Sequence, residues 1–303
     1  MRILMTGGTG FIGAHLTRAL LRKGYEVVVT SRSGLSPFLG QDRYGILTCD
    51  TTKPGPWQEE VGRSDMVINL AGRSIFTRWN QAKKMEMEES RILTTEHLVD
   101  ALPSKEGPLF LSASAVGFYG DRGDEFLGED EVGGKGFLAE LCQRWEAAAT
   151  KAEKRGVRVV RMRFGAVLGR GGGALESMLI PYKMCLGGPL GSGSQWFSWV
   201  HIDDLVSAVM FLMENKKAEG PINFTAPYLA RNEEFSRTLA RVVRRPAFFG
   251  MPSFMLKMVL GELGQEILFS QRVVPQKLSK LGFQFSYPSI EAALGHLVHK
   301  SAN

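Results

Sequence analysis

Residues 6 to 13 read Thr-Gly-Gly-Thr-Gly-Phe-Ile-Gly and follow a short apolar run, Ile3-Leu4-Met5. The run suits a buried strand. Phe11 to Lys23 suits a helix, with Ile12, Leu16, Ala19 and Leu20 on one face and Gly24 just past its end. Between them, Gly7 permits a tight turn, Gly10 lets the backbone approach a bulky anion, and Gly13 lets helix and strand pack closely. The helix start adds free N–H groups and a partial positive charge. This order of strand, glycine turn and helix predicts a dinucleotide site, with Gly7, Thr9, Gly10, Phe11, Ile12 and Gly13 as its contacts. An ordinary loop is the competing reading, and the flanks argue against it.

The next strand bears on which dinucleotide. Glu26 to Thr30 is a second apolar run and ends in Ser31-Arg32-Ser33. A site for NAD usually places a carboxylate here to bond the ribose 2′-hydroxyl. No carboxylate occurs between Val27 and Gln41. A hydroxyl beside a guanidinium fits a 2′-phosphate instead, because arginine presents a fixed planar fork to phosphate oxygens. Ser31 and Arg32 therefore predict NADP(H), with a solvated surface arginine as the alternative. A third strand, Gly45 to Cys49, ends in Asp50-Thr51. Asp50 there faces an adenine amino group or serves as a turn residue.

The chain has 303 residues, enough for one large domain or two unequal ones. Its three cysteines, Cys49, Cys142 and Cys185, are dispersed, which points to a reducing compartment without a disulfide frame. A net charge of +6 suits anionic ligands, but the basic residues are scattered, so no nucleic-acid partner is expected. No apolar stretch reaches membrane length. The N-terminus reads as the first strand, so a cleavable signal is not expected and the cytoplasm is the expected location. The five histidines are spread along the chain and predict no metal site.

Strand and helix alternate to about residue 169. Met66 to Leu70, Leu109 to Ser112 and Val157 to Phe164 read as strands. Lys83 to Leu102 and Phe137 to Arg155 read as helices. The pattern predicts an α/β fold, a Rossmann-type doubly wound parallel sheet with its ligand at the strands' C-terminal ends. Residues 1–169 form the expected NADP-binding domain, with a later return of chain near 195–226. Residues 170–303 supply glycine-rich substrate loops and a small C-terminal lobe.

Four motifs stand in this order: TGGTGFIG at the first turn, Asn69-Leu70-Ala71-Gly72, Ser112 to Gly120 (Ser-Ala-Ser-Ala-Val-Gly-Phe-Tyr-Gly), and Val200-His-Ile-Asp-Asp-Leu205. Together they resemble the extended short-chain dehydrogenases/reductases of the nucleotide-sugar epimerase type, over nearly the whole chain. Val167 to Ala174, Gly187 to Gly193 and the ending Val274 to Pro288 resemble its atypical epimerase-family subgroup, often labelled cell-division-inhibitor-like. That subgroup ends in a small domain of unknown function. The resemblance implies NADP binding, backbone contacts from Leu70, Ala71 and Gly72, and cofactor contacts from Glu86, Arg91 and Val167. Arg91 has a helix-face salt bridge as its plainer reading. The resemblance also implies a homodimer through the helices at 83–102 and 137–155.

Typical members carry a Tyr-x-x-x-Lys pair after the fifth strand. Tyrosine titrates near 10, so a neighbouring cation must help it transfer protons near neutrality. In the family the lysine lies four residues before a glutamate, which is Glu146 here. Counting back gives Cys142 and then Leu138, neither of which does that chemistry. Ser114 matches the family's catalytic serine, and Tyr119 is the tyrosine at that end of the sheet. The two form a reduced candidate acid site. Packing of Tyr119, or a turn hydrogen bond for Ser114, is the competing reading. His201 precedes a motif that docks a helix. Arg163, Lys183, Trp196 and Trp199 are candidate substrate contacts, with core packing as the plainer role for the aromatics. Trp57, Phe76 and Trp79 are weaker candidates to cover the site from the other side. The first functional reading is an NADP(H)-dependent oxidoreductase on an unknown small carbonyl or hydroxyl substrate. An NADP(H)-binding regulator without catalysis comes second and a nucleotide-sugar epimerase third.

Overall fold

The structure is a computed structural model that describes residues 1–103, 107–247 and 249–299. Seven strands form its main sheet: β1 (Arg2–Thr6), β2 (Glu26–Ser31), β3 (Tyr44–Thr48), β4 (Met66–Asn69), β5 (Leu109–Ala115), β6 (Val159–Phe164) and β7 (Gly220–Phe224). All neighbours are parallel, in the order β7-β6-β5-β4-β1-β2-β3. The order reverses between β1 and β4, where an open parallel sheet leaves its ligand crevice.

The apolar runs become strands because both faces of the sheet are covered. Ile3, Met5, Val27 and Val29 pack on one face with Leu16 and Leu20 of α1 (Phe11–Arg22). Leu4, Val28 and Val67 pack on the other with Leu98 and Val99 of α2 (Gln81–Ala101) and Ala149 of α3 (Phe137–Glu153). α2 begins two residues before the expected Lys83, because the Asn80 side chain accepts from Lys83 N at 2.8 Å and caps the helix there. β5 runs on to Ala115, past the expected Ser112.

Beyond β6 follow α4 (Gly173–Lys183), α5 (Ile202–Glu214) and α6 (Asn232–Val243), with β7 between the last two. The C-terminal lobe holds α7 (Ser253–Leu260), α8 (Glu262–Glu266), α9 (Gln276–Lys280) and α10 (Ile290–His299). Leu263 of α8 packs with Trp79, Met87 and Leu141, over the N-terminal ends of α2 and α3.

Two buried polar clusters tie these parts together. Glu146 on α3 is buried and takes a two-pronged contact from Arg163 on β6, Nε to Oε1 at 2.7 Å and Nη2 to Oε2 at 2.9 Å. In the second, His201 caps α5 by accepting from Asp203 N at 3.0 Å, and its Nε2 lies 3.1 Å from His296 Nδ1 on α10. Tyr287 stacks on both imidazoles. Burial holds the His201 imidazole well below its ordinary 6.5, against the field of Asp203 and with further lowering from His296 and His15.

Each cluster generates a prediction. Arg163→Met leaves a buried carboxylate without its main partner and is expected to cost about 3–5 kcal/mol in urea unfolding. The double variant Arg163→Met/Glu146→Met should recover much of that loss. For His201 the folded value is depressed, so its share of stability is whole above pH 6.5 and is lost as pH falls toward the folded value. The slope is about 1.4 kcal/mol per pH unit. His201→Asn keeps a cap acceptor and should flatten the acid limb of the stability curve below pH 6.5.

Candidate functional site

The glycine turn has the geometry its residue types demand. Gly7 adopts φ +70°, and a Cβ there would lie 2.6 Å from Leu70 O. A Cβ on Gly13 would lie 2.3 Å from Gly7 O, so only glycine lets α1 seat this closely on the turn. Gly10 N donates to Gly7 O at 3.0 Å and closes the turn. No side chain caps α1, and no acidic residue stands in its first turn, so its N–H groups remain available to an anion.

This turn forms one wall of a cavity of about 450 Å³. Gly7, Thr9, Gly10, Ser31, Arg32, Asp50, Leu70, Ala71, Gly72 and Glu86 all line it. Phe11, Ile12, Gly13, Arg91 and Val167 do not. Ile12 packs against the core, and Val167 is half-buried on a short strand beside Val200. The Phe11 ring lies under the glycine-rich loop after β6, where Cβ atoms on Gly172 and Gly173 would come within 2.9 and 2.6 Å of it. Those glycines, expected in substrate loops, make room for that ring.

Arg32 is exposed and has no carboxylate within salt-bridge distance among the described residues. Asp50 accepts from Thr52 N at 3.1 Å and Thr52 Oγ1 at 2.7 Å. The Thr52 hydroxyl bond holds its carboxyl below the usual range, helped by Lys53 and Arg32. Asp50 is therefore a turn residue that also faces the cavity. Lys83, aided by Arg73, likewise lowers Glu86. Sequence reasoning missed Arg73, Glu89 and Ser90 in the lining. The last two lie one turn beyond Glu86 on α2, and helical spacing from it was the available signal.

Arg91 does not form the helix-face salt bridge that was its plainer reading. Its guanidinium donates to Met87 O at 3.1 Å and Arg73 O at 2.9 Å, sits 5.3 Å from the Trp145 ring, and fills the space beside Gly72. No carboxylate pairs with it among the described residues, and burial pulls it below its ordinary value. It stands directly behind the cavity wall.

The hydroxyls of the candidate acid site are directed away from the cavity. Ser114 is buried and donates to Glu146 Oε1 at 2.7 Å. Tyr119 is fully buried, its one hydroxyl proton faces Asn223 Oδ1 at 2.8 Å and Gly128 O at 2.9 Å, and its oxygen accepts from Arg163 at 2.8 Å. Burial pushes its hydroxyl up to about 12. Neither proton faces the cavity. At the positions of the usual pair, Leu138 and Cys142 lie beside Gly117, and burial pushes the Cys142 thiol up to about 12.

The substrate candidates do not converge. Arg163 is committed to Glu146, and its guanidinium lies 3.6 Å from the Phe118 ring centre. Trp199 is core and Lys183 is exposed at the end of α4. Trp196 donates to Asp124 at 2.6 Å and stacks with Arg231 and Arg272. Trp57 and Trp79 are buried while Phe76 is exposed. His201, Asp203 and His296 bring possible metal-ligand atoms within 4.8 Å, but the His201 Nδ1 lone pair already accepts the Asp203 N–H.

Comparison with known proteins matches this geometry. Residues 3–225 match the NAD dependent epimerase/dehydratase family, and residues 251–297 match a domain of unknown function, DUF1731. The chain is 40% identical over 301 residues to the chloroplastic epimerase family protein SDR39U1 homolog of Arabidopsis thaliana, covering 97% of this chain and 86% of that one. It is 38% identical over 301 residues to epimerase family protein YfhF of Bacillus subtilis, covering 98% of each. Among solved structures, human epimerase family protein SDR39U1 with NADPH superimposes with a TM-score of 0.85, at 34% identity over 99% of both chains. UDP-glucuronic acid 4-epimerase from Bacillus cereus shares the fold at 19% identity, with a TM-score of 0.81 over 99% of this chain and 98% of that one. This chain belongs to the NAD dependent epimerase/dehydratase family, in the branch of SDR39U1-like proteins that end in DUF1731.

Proposed function

We propose that this protein binds NADP(H) and acts as an oxidoreductase of the extended short-chain type on a small carbonyl or hydroxyl substrate. The observation that carries the reading is the cavity: the uncapped start of α1 at one wall, and Ser31 with Arg32, which pairs with no carboxylate among the described residues, at the edge where an NAD site needs a carboxylate. The fit of the group rests on that wall, where side chains at Gly7 and Gly13 would collide with backbone. The NADPH held by human SDR39U1 supports the same choice.

In this reading Thr9, Gly10 and the first turn of α1 hold the diphosphate, Ser31 and Arg32 hold the 2′-phosphate, and Leu70 to Gly72 press on the cofactor through backbone. Arg91, behind the wall at Gly72, would act on the cofactor only through its charge, close to the place that Cys142 holds. Bound NADPH supplies a hydride. Ser114 and Tyr119 spend their protons on Glu146 and Asn223, so the proton taken up by a reduced carbonyl oxygen would come from water or from another group lining the cavity. The same observation favours the second reading, an NADP(H)-responsive regulator. A screen of carbonyl compounds followed by NADPH absorbance separates them: turnover supports the oxidoreductase, and tight binding with no turnover supports the regulator.

Two variants test the cofactor assignment. Arg32→Asp should reverse the preference from NADP(H) to NAD(H), with loss of a charge-assisted contact worth about 1.5–3 kcal/mol in a fluorescence titration. Equal affinity of the unmutated protein for both cofactors would show that Ser31 and Arg32 do not read the phosphate. Arg91→Met should weaken NADPH roughly tenfold while adenosine 2′,5′-bisphosphate, which lacks the nicotinamide half, binds as before. The melting temperature followed in parallel separates this loss from unfolding.

A further inference from the structure

α7 turns its apolar side outward. Phe254 and Met258 form one i, i+4 row and Met255 and Val259 the next, and these four are 65, 69, 42 and 60% exposed. Only Leu256 of this helix is buried. A surface helix of a globular protein normally puts such a stripe into the core. An eight-residue helix is also too short to stand on propensity alone. It is held from behind, where Gly264 lies so close that a Cβ would come within 2.4 Å of Leu256 O.

The stripe continues onto a neighbouring loop. Met251 N donates to Pro189 O and Gly191 N to Met251 O, both at 2.9 Å, which joins the start of the lobe to the chain leaving α4. Phe249, 61% exposed, has its carbonyl against Gly188, and Met184, 64% exposed, lies a few residues before. Exposed apolar patches of this extent mark contact surfaces.

Cations predominate beside the patch, and the flanking carboxylates Glu233 and Glu262 are paired with Arg237 and Lys84. From Phe235 to Gly261 the sequence has Arg237, Arg241, Arg244, Arg245 and Lys257 and no carboxylate, and Lys183 adds a further cation beside Met184. All six are exposed. A protein partner recognised through charge is selected by a pattern of both signs, which fixes register. A bilayer of anionic lipid asks only for cations around an apolar centre.

We propose that the face formed by α7 and the 184–190 loop rests on an anionic lipid bilayer, with Phe254 and Met258 entering the headgroup boundary and Lys257, Arg244 and Arg245 meeting lipid phosphates. This is a contact with the surface: among the described residues no helix is long and apolar enough to cross a membrane. The proposal stands apart from the cofactor cavity and does not depend on it.

Co-sedimentation of the full chain with vesicles tests it, using phosphatidylcholine alone against phosphatidylcholine with about one-third phosphatidylglycerol. The expected result is partitioning about tenfold stronger into the anionic vesicles, weakening as salt rises. Phe254→Ser/Met258→Ser should abolish that partitioning, and Lys257→Glu should remove the anionic preference, both without change in melting temperature. Equal sedimentation of the unmutated protein and the double variant overturns the proposal. So does a concentration-dependent dimer that ignores vesicles and is lost in the double variant, which would assign the face to a second copy of this chain.

Discussion

The buried carboxylate of Glu146 limits what this site can do. Leaving its charge unpaired in the protein interior is costly, and the two-pronged Arg163 contact and the Ser114 hydroxyl offset that cost. Each offset is a commitment. Ser114 has one proton, and it points at Glu146 rather than into the cavity. Arg163 is spent on Glu146 and Tyr119 and offers nothing to a ligand. The lysine of the usual pair would stand one turn from Glu146 and compete for it. A thiol held neutral at that place does not.

The residues that line the cavity were largely legible in the sequence because the requirements of the glycine turn are local. Glycines at a fixed spacing, a strand before them and a helix after them fix backbone geometry with few alternatives, and Arg32 declares itself by replacing a carboxylate. The catalytic half was not legible, for a physical reason. Position along β5, the turn after it and β6 puts Ser114, Tyr119 and Arg163 at the right end of the sheet, but the direction of a hydroxyl or a guanidinium depends on partners far away in the chain. Asn223 lies 104 residues from Tyr119, and Glu146 lies 32 from Ser114. The same limit applies to Gly172 and Gly173. Their sequence says loop, while the Phe11 ring beneath them and their positive φ together explain why no side chain is allowed.

The C-terminal lobe gives the missing pair a structural context. Leu138, at the place of the usual tyrosine, packs in the cluster that contains Leu263 and Ile267 of the lobe. The Glu266 carboxyl faces the backbone N–H groups of Leu138 and Phe137, and burial pushes it up despite them. Lys84 pairs with Glu262, and its ammonium lies 4.9 Å from the Phe137 ring. The start of α3, which in typical members faces the reacting centre, is here a junction between lobe and sheet. A tyrosine hydroxyl at position 138 would enter an apolar cluster, where an unpaired polar group is costly. Leucine suits the junction, and a lysine at 142 would have no tyrosine to assist. The loss of the pair and the docking of the lobe are thus two aspects of one packing arrangement. Any chemistry in the cavity must therefore draw its proton from outside α3.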